Sequence, residues 1–265
     1  MIKSRNWPVA GMFFQLALVC AAVLLFAAAE LNAGAGENSS LPPAQVLLQN
    51  ARKYLVSEPL SFSGEVRSRS GSGKTMEHIS IEITLDFSKT PAIAEYMLTD
   101  RFGGHLETLK IARDADGITS LEYRHGPDME EGAVSDLAGR IRETSLTWND
   151  LTLSFLWWSE AKTVGVDTVR GRRCYVIELL PPGSGAGQCL ESGPFLVRVW
   201  IDTEMHALLA AEVYDDAGVK VRELSVKSFK KIDDMWIVKD ISFRSFPSGD
   251  RTVVRIDDLE RIPDE

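Results

Sequence analysis

The segment Gly71-Ser72-Gly73-Lys74-Thr75 ends like a phosphate-binding loop, where backbone N–H groups and a lysine cradle phosphates. Its surroundings disagree. The first glycine of that motif would fall at Ser68, and a helix should follow to aim its N-terminus at phosphate. Instead Ile79, Ile81, Ile83 and Leu85 alternate with mostly polar residues, the period of a strand. The glycines therefore read as a hairpin turn. The histidines, His78, His105, His125 and His206, show no i, i+4 pair and no H-e-x-x-H arrangement, so no metal site is expected. No G-x-S-x-G nucleophile elbow occurs. Without a nucleophile, a ligand set or a phosphate cradle, the expectation is a protein that is not an enzyme and carries no cofactor.

Two other residue types carry potential chemistry. Cys20 lies in an N-terminal apolar run, while Cys174 and Cys189 lie in the body of the chain. In an oxidising compartment two leftover thiols commonly pair. A Cys174–Cys189 disulfide would close a short glycine-rich loop and add about 3 kcal/mol; the alternative is two unpaired thiols, one buried and one in the loop. The tryptophans at 148, 157, 158, 200 and 236 suggest core positions more often than sugar-binding ones. Trp157-Trp158 is the pair to watch, because neighbours on a short helix rarely bury on the same side.

The chain that must position these residues has 265 of them, 45% apolar, with a formal net charge of −9. That suits one sizeable domain and argues against nucleic-acid binding. Lys3 and Arg5 precede an unbroken apolar run, Leu16 to Ala29, followed by Ala33-Gly34-Ala35. This is the pattern of a secretory signal peptide over residues 1–35, leaving a domain from 36 to 265. The expectation is an exported, periplasmic protein; the alternative is an inner-membrane anchor formed by an uncleaved N-terminus.

After a polar linker, Ser39 or Ser40 can cap a helix with Pro42 and Pro43 in its first turn. Leu47, Leu48, Ala51, Tyr54 and Leu55 share one face of it. Strands are expected at Leu60 to Arg69, Met76 to Phe87 and Ala92 to Phe102, then as a hairpin at Leu106 to Ala112 and Ile118 to Arg124. Gly126 to Ser145 breaks this rhythm and reads as a mobile excursion with one weakly helical stretch. In Leu146 to Trp158, Asn149 or Asp150 can cap a short helix. Leu151, Phe155 and Trp158 would share a face, with Leu156 and Trp157 beside it. Such apolar density means deep burial or the lining of a pocket. A strand at Val164 to Val169 leads into a long meander from Cys174 to Glu260, punctuated by Asp, Gly and Pro turns. No long helix intervenes, so the sheet is antiparallel.

Three features together resemble the LolA-like, outer-membrane lipoprotein-sorting family. One is the signal peptide followed by a single amphipathic helix and many strands. Another is SLTWNDLTLSFLWW, Ser145 to Trp158. The third is GRRCYVIELLP, then VRVWIDTEMHALLAAEVYDDAG and DDMWIVKDISFRS. The resemblance implies a mainly β fold: a strongly curved antiparallel half-barrel of about eleven strands with short α-helices packed in its concave face. It further implies an apolar cavity that holds acyl chains of lipoproteins or lipids, and inner- and outer-membrane transport proteins as partners. Leu47, Leu48, Leu55, Phe155, Leu156, Trp157 and Trp158 are the candidate cavity wall. An envelope sensor or protein-partner binding module of the same fold is the alternative.

Overall fold

In a computed structural model the described residues are 41–55, 59–114, 117–132, 137–182, 195–232 and 235–262. The N-terminal segment 1–35, the capping candidates Ser39 and Ser40, and Cys189 lie outside them. Helix α1 (Ala44–Leu55) comes first. Six strands follow: β1 (Leu60–Arg69), β2 (Thr75–Asp86), β3 (Ala92–Thr99), β4 (His105–Arg113), β5 (Ile118–His125) and β6 (Glu130–Gly132). The chain then passes through the short helix α2 (Trp148–Leu151) and a 3-10 turn, Ser154–Trp157. Seven strands complete it: β7 (Ala161–Val169), β8 (Arg172–Leu179), β9 (Leu196–Asp202), β10 (Leu208–Tyr214), β11 (Lys220–Ile232), β12 (Met235–Ser245) and β13 (Arg251–Arg261).

These thirteen strands form one antiparallel sheet in the order β6-β5-β4-β3-β2-β1-β13-β12-β11-β10-β9-β8-β7. It is curved and does not close, as a half-barrel with few short helices. Every neighbour is also a neighbour in sequence except at one seam. There β1 pairs with β13 from Leu60↔Arg261 to Arg69↔Arg251. Two meandering wings are thus joined in the middle, and residues 137–160 connect β6 at one edge to β7 at the other. At the seam Gly64 sits at a register shift, where an added Cβ would collide with the Arg255 carbonyl.

Alternation fixes which side of each strand is buried. Val66, Ile79, Ile81, Leu98, Leu109, Val199, Phe243, Val254 and Ile256 point to one face and join a single core. Leu47, Leu48 and Ala51 of α1 complete it, so the helix buries the stripe its spacing implies. Gln45 Nε2 donates to the carbonyls of Trp158 at 3.0 Å and Ser159 at 2.8 Å. Arg52 Nη1 donates to the Leu156 carbonyl at 3.1 Å. The helix therefore clamps the 3-10 turn as well as covering the sheet.

Three expectations are adjusted. Among the described residues the sheet has thirteen strands rather than about eleven; one reason is that β6 is only three residues, Glu130–Gly132, that pair with Tyr123–His125, too short to show a period. The described part of 126–145 contains β6 and turns rather than a helix. The cap of α2 is Thr147, not Asn149 or Asp150: its hydroxyl accepts from Asp150 N–H at 3.2 Å while the Asp150 carboxylate accepts from Thr147 N–H at 3.1 Å. That reciprocal box satisfies two orphan donors at once. The Gly71–Thr75 segment lies in the β1–β2 turn and the first residue of β2, as its context requires. Among the described residues no cluster could hold a metal ion.

Candidate functional site: an apolar cavity under the crossing segment

The 146–158 segment lies over the core face and leaves a cavity of about 160 Å³ between itself and the sheet. Phe62 of β1, Ile83 and Leu85 of β2, and Val254 and Ile256 of β13 form part of its floor. Met235, Trp236, Ile237, Ile241 and Phe243 of β12 continue it. Leu151, Leu153 and Trp157 form the roof. Leu153 adopts a left-handed backbone, φ 49°, which separates α2 from the 3-10 turn. Trp157 is half-buried and lines the cavity, whereas Trp158 is buried. The adjacent tryptophans thus do face different surroundings.

The polar groups at the wall are mostly occupied by the structure itself. The Asp150 carboxylate accepts from the Thr147 hydroxyl at 2.7 Å and lies 3.3 Å from Arg222 Nε. The latter is an ion pair without the alignment of a hydrogen bond. Thr152 Oγ1 donates to the Trp148 carbonyl at 2.7 Å. Tyr96 is buried, and burial pushes its phenol up to about 12, only partly opposed by Arg113. It is therefore neutral at ordinary pH.

Two arginines flank Trp157. The Arg113 guanidinium lies 4.6 Å and that of Arg52 5.9 Å from its ring centroid, within cation–π range. Phe87 meets the same ring edge-on at 6.2 Å. Arg113 is buried, donates to Ser154 Oγ at 2.7 Å, and has no carboxylate partner among the described residues. Burial lowers the pKa of both arginines. These guanidinium groups orient the tryptophan and fasten the roof.

Of the candidate wall residues, Trp157 lines the cavity. Leu47, Leu48, Phe155, Leu156 and Trp158 are packed into the adjoining core; the Leu55 side chain lies outside the described residues. The strand contribution was missed: Phe62, Met235, Trp236 and Ile237 sit at strand ends that meet only through the β1–β13 seam. The signal that could have found them is exposed Trp236, an aromatic at a strand start with half its surface in solvent. Cys174 is buried in β8, and burial pushes its thiol up.

Fold and cavity together define a helix-covered β half-barrel with a hollow beneath the cover, and solved structures share the fold. A DUF1329 family protein from Desulfovibrio piger superimposes with a TM-score of 0.68 at 17% identity, covering 82% of this chain and 91% of that one. A LolA superfamily protein from Nitrosomonas europaea gives 0.64 at 14% identity, covering 84% and 94%. A putative outer membrane lipoprotein-sorting protein domain from Vibrio parahaemolyticus gives 0.63 at 15% identity, covering 82% and 93%. The LolA-like resemblance seen in the sequence is thus borne out in the fold. No curated protein matches the chain. A family model described as "Uncharacterized protein" matches residues 129–264, just over half of the chain, and the chain belongs to that family.

Proposed function

We propose that this is an exported envelope protein that holds the acyl part of a lipid or lipoprotein, and that it binds rather than catalyses. The observation that carries the reading is the apolar cavity between Trp157 and strands β1, β2, β12 and β13. Each methylene moved from water into such a site contributes about 0.8 kcal/mol, with no need for specific polar contacts. The lipoprotein-sorting description of the Vibrio parahaemolyticus neighbour agrees with this. At about 160 Å³ the hollow is smaller than a typical small-molecule site of ~300–1,000 Å³. It takes part of a chain as it stands, and a whole chain requires the roof to shift.

The proposal includes cleavage after the N-terminal apolar segment and a periplasmic location for residues 36–265. It also includes a Cys174–Cys189 disulfide formed on export, which would engage the Cys174 thiol that is free and buried in the structure. Mass spectrometry of non-reduced protein should find the linked peptide; two alkylatable thiols would refute the disulfide alone.

The test of the carrier reading is saturable binding of a fluorescent fatty-acid probe, together with mass spectrometry of organic extracts of the purified protein. Saturable binding displaced by unlabelled fatty acid is expected. Folded protein that binds no probe and yields no lipid would sink the reading. A second reading, partner binding by strand addition, is favoured by β7. This nine-residue strand forms an open edge with Val164 and Val166 exposed. Co-purifying polypeptide without lipid would favour it.

A further inference from the structure

The outer face of the sheet carries a second feature, on strands whose inner face floors the cavity. Arg69 of β1 is directly paired with Arg251 of β13, and Arg251 with Arg244 of β12. Three arginines thus hold neighbouring positions across three adjacent strands, and the Arg244 guanidinium lies 5.1 Å from the Phe246 ring centroid. All three are exposed. Like charges placed directly opposite one another are destabilising, so an acidic neighbour would be the expected remedy. None is paired with them among the described residues. Glu65 is engaged by Arg67 at 2.7 Å and His78 at 3.0 Å, and Asp240 by Arg255 at 2.8 Å. Glu223, which faces Arg244 from β11, is paired instead with Lys220 at 3.1 Å. Arg251 Nε donates to the Ser242 hydroxyl at 2.9 Å. Beside the row lies a hollow of about 230 Å³ bounded by Glu65, Arg67, Arg69, Arg251, Val253 and Arg255. Lys227 adds to the positive field: burial, with Arg170 and Arg251 nearby, lowers its pKa. All this stands on a chain whose net charge is −9.

Arginines at neighbouring strand positions can converge on oxyanions, which guanidinium groups bind through paired N–H donors. The same end of the sheet also presents hydrocarbon. Phe102, in the β3–β4 turn, is 83% exposed, and the Arg101 guanidinium lies 4.7 Å from its ring centroid. Val219, in the β10–β11 turn, is exposed as well. The antiparallel registers bring both turns to the end where Arg69, Arg244 and Arg251 lie. An aromatic tip with cations beside it suits the boundary of a bilayer, where rings enter the headgroup layer and cations meet phosphate. A soluble polyanion would have no use for the exposed Phe102 ring.

We propose that this end of the protein docks on an anionic bilayer surface, with Arg69, Arg244 and Arg251 taking lipid phosphates. The proposal goes beyond the cavity reading and does not depend on it. The test is co-sedimentation of the full chain, isolated after expression in an exporting host, with vesicles. Phosphatidylglycerol mixed with phosphatidylcholine is compared with phosphatidylcholine alone. Wild-type protein is expected to favour the anionic vesicles, less so as salt rises. The combined variant Arg69→Gln, Arg244→Gln, Arg251→Gln should bind them about a hundredfold more weakly with a melting temperature no lower than that of wild type. A charge-matched control, Lys53→Gln, Arg173→Gln, Arg261→Gln, should lose less than a tenth as much affinity.

Equal loss in both variants would reduce the effect to net charge and overturn the proposal. So would equal binding to neutral vesicles, or binding by the arginine variant as tight as by wild type. If the arginine-dependent binding is to inositol hexakisphosphate and not to vesicles, the bilayer is excluded as partner. If the arginine variant fails to fold, Phe102→Ser is the second arm: it should weaken vesicle binding severalfold, and no change would overturn the proposal. Probe binding by the cavity should be unaffected in these variants, which keeps the two proposals separable.

Discussion

Strands β1, β12 and β13 present two different surfaces on their two faces. The inner face offers Phe62, Ile237 and Ile256 to a roofed cavity. The outer face offers Arg69, Arg244 and Arg251 to solvent. Period-two alternation lets the same backbone serve both without either chemistry intruding on the other. The difference lies in where free energy is stored. The cavity face rests on burial, so disturbing it threatens the fold. The arginine face is exposed and screened, so disturbing it should change association far more than stability.

The sharpest break in this contrast comes from placing a carboxylate at depth and at the mouth. Leu48 is fully buried under α1, so Leu48→Glu should cost more than about 4 kcal/mol and leave little folded protein. Trp236 borders the cavity but is half exposed. Trp236→Glu should change stability by less than about 1 kcal/mol while weakening fatty-acid probe binding severalfold. Thermal melting and probe titration separate the two. Similar melting losses in both variants would mean that mouth and core are not distinct.

Next in size is the alkaline limb at Tyr96. Its phenol is raised to about 12 in the fold, against ~10 in the unfolded chain. The native state therefore holds the proton more tightly than the unfolded state does. Stability from this group is fully present below the unfolded value and falls by about 3 kcal/mol in all as pH rises through the folded one. Urea unfolding of Tyr96→Phe should track wild type near pH ~8 and exceed it by about 1.5 kcal/mol near pH ~11. Parallel curves would show that the phenol is not buried as described.

A smaller effect is expected at Arg113, which is buried without a carboxylate partner among the described residues. Arg113→Met keeps most of the volume against Trp157 and removes a desolvated charge. Stability should stay within about 1 kcal/mol of wild type, whereas loss of a needed ion pair would cost about 3 kcal/mol or more. The smallest effect belongs to the arginine row. Arg251→Thr should raise stability by about 0.5 kcal/mol at low ionic strength and by nothing measurable in high salt. A large loss there would mean that Arg251 supports the sheet and is not chiefly a ligand for something outside it.

Much of the fold is visible in local patterns. Leu60 to Arg69 is a strand with the same bounds in sequence and structure. The alternation of Ile79, Ile81, Ile83 and Leu85 correctly assigns a face to β2. The stripe on α1 shows that it is buried, and the Trp157-Trp158 pair shows that two environments meet there. What remains hidden depends on partners distant in sequence. The cavity floor joins Phe62 to Ile237 and Ile256, and the arginine row joins position 69 to 244 and 251. Periodicity reports which side of a strand is buried, not which strands become neighbours. It also cannot distinguish an apolar residue packed tightly, such as Phe155, from one beside a hollow, such as Trp157. That depends on how closely the roof approaches the sheet.

The β1–β13 seam has a kinetic consequence. Every other pairing in the sheet joins consecutive strands, and such hairpins form early because the loops to be closed are short. The seam instead brings together the two far ends of the described β chain and carries its loop-closure cost. Assembly of two pre-formed wings is therefore expected to be the slow step, and until it occurs β1 and β13 would each present an unpaired edge. Arg69, Arg251 and Arg255, placed along those edges, would keep the half-built wings of two molecules from joining to each other, as charged side chains do on natural sheet edges.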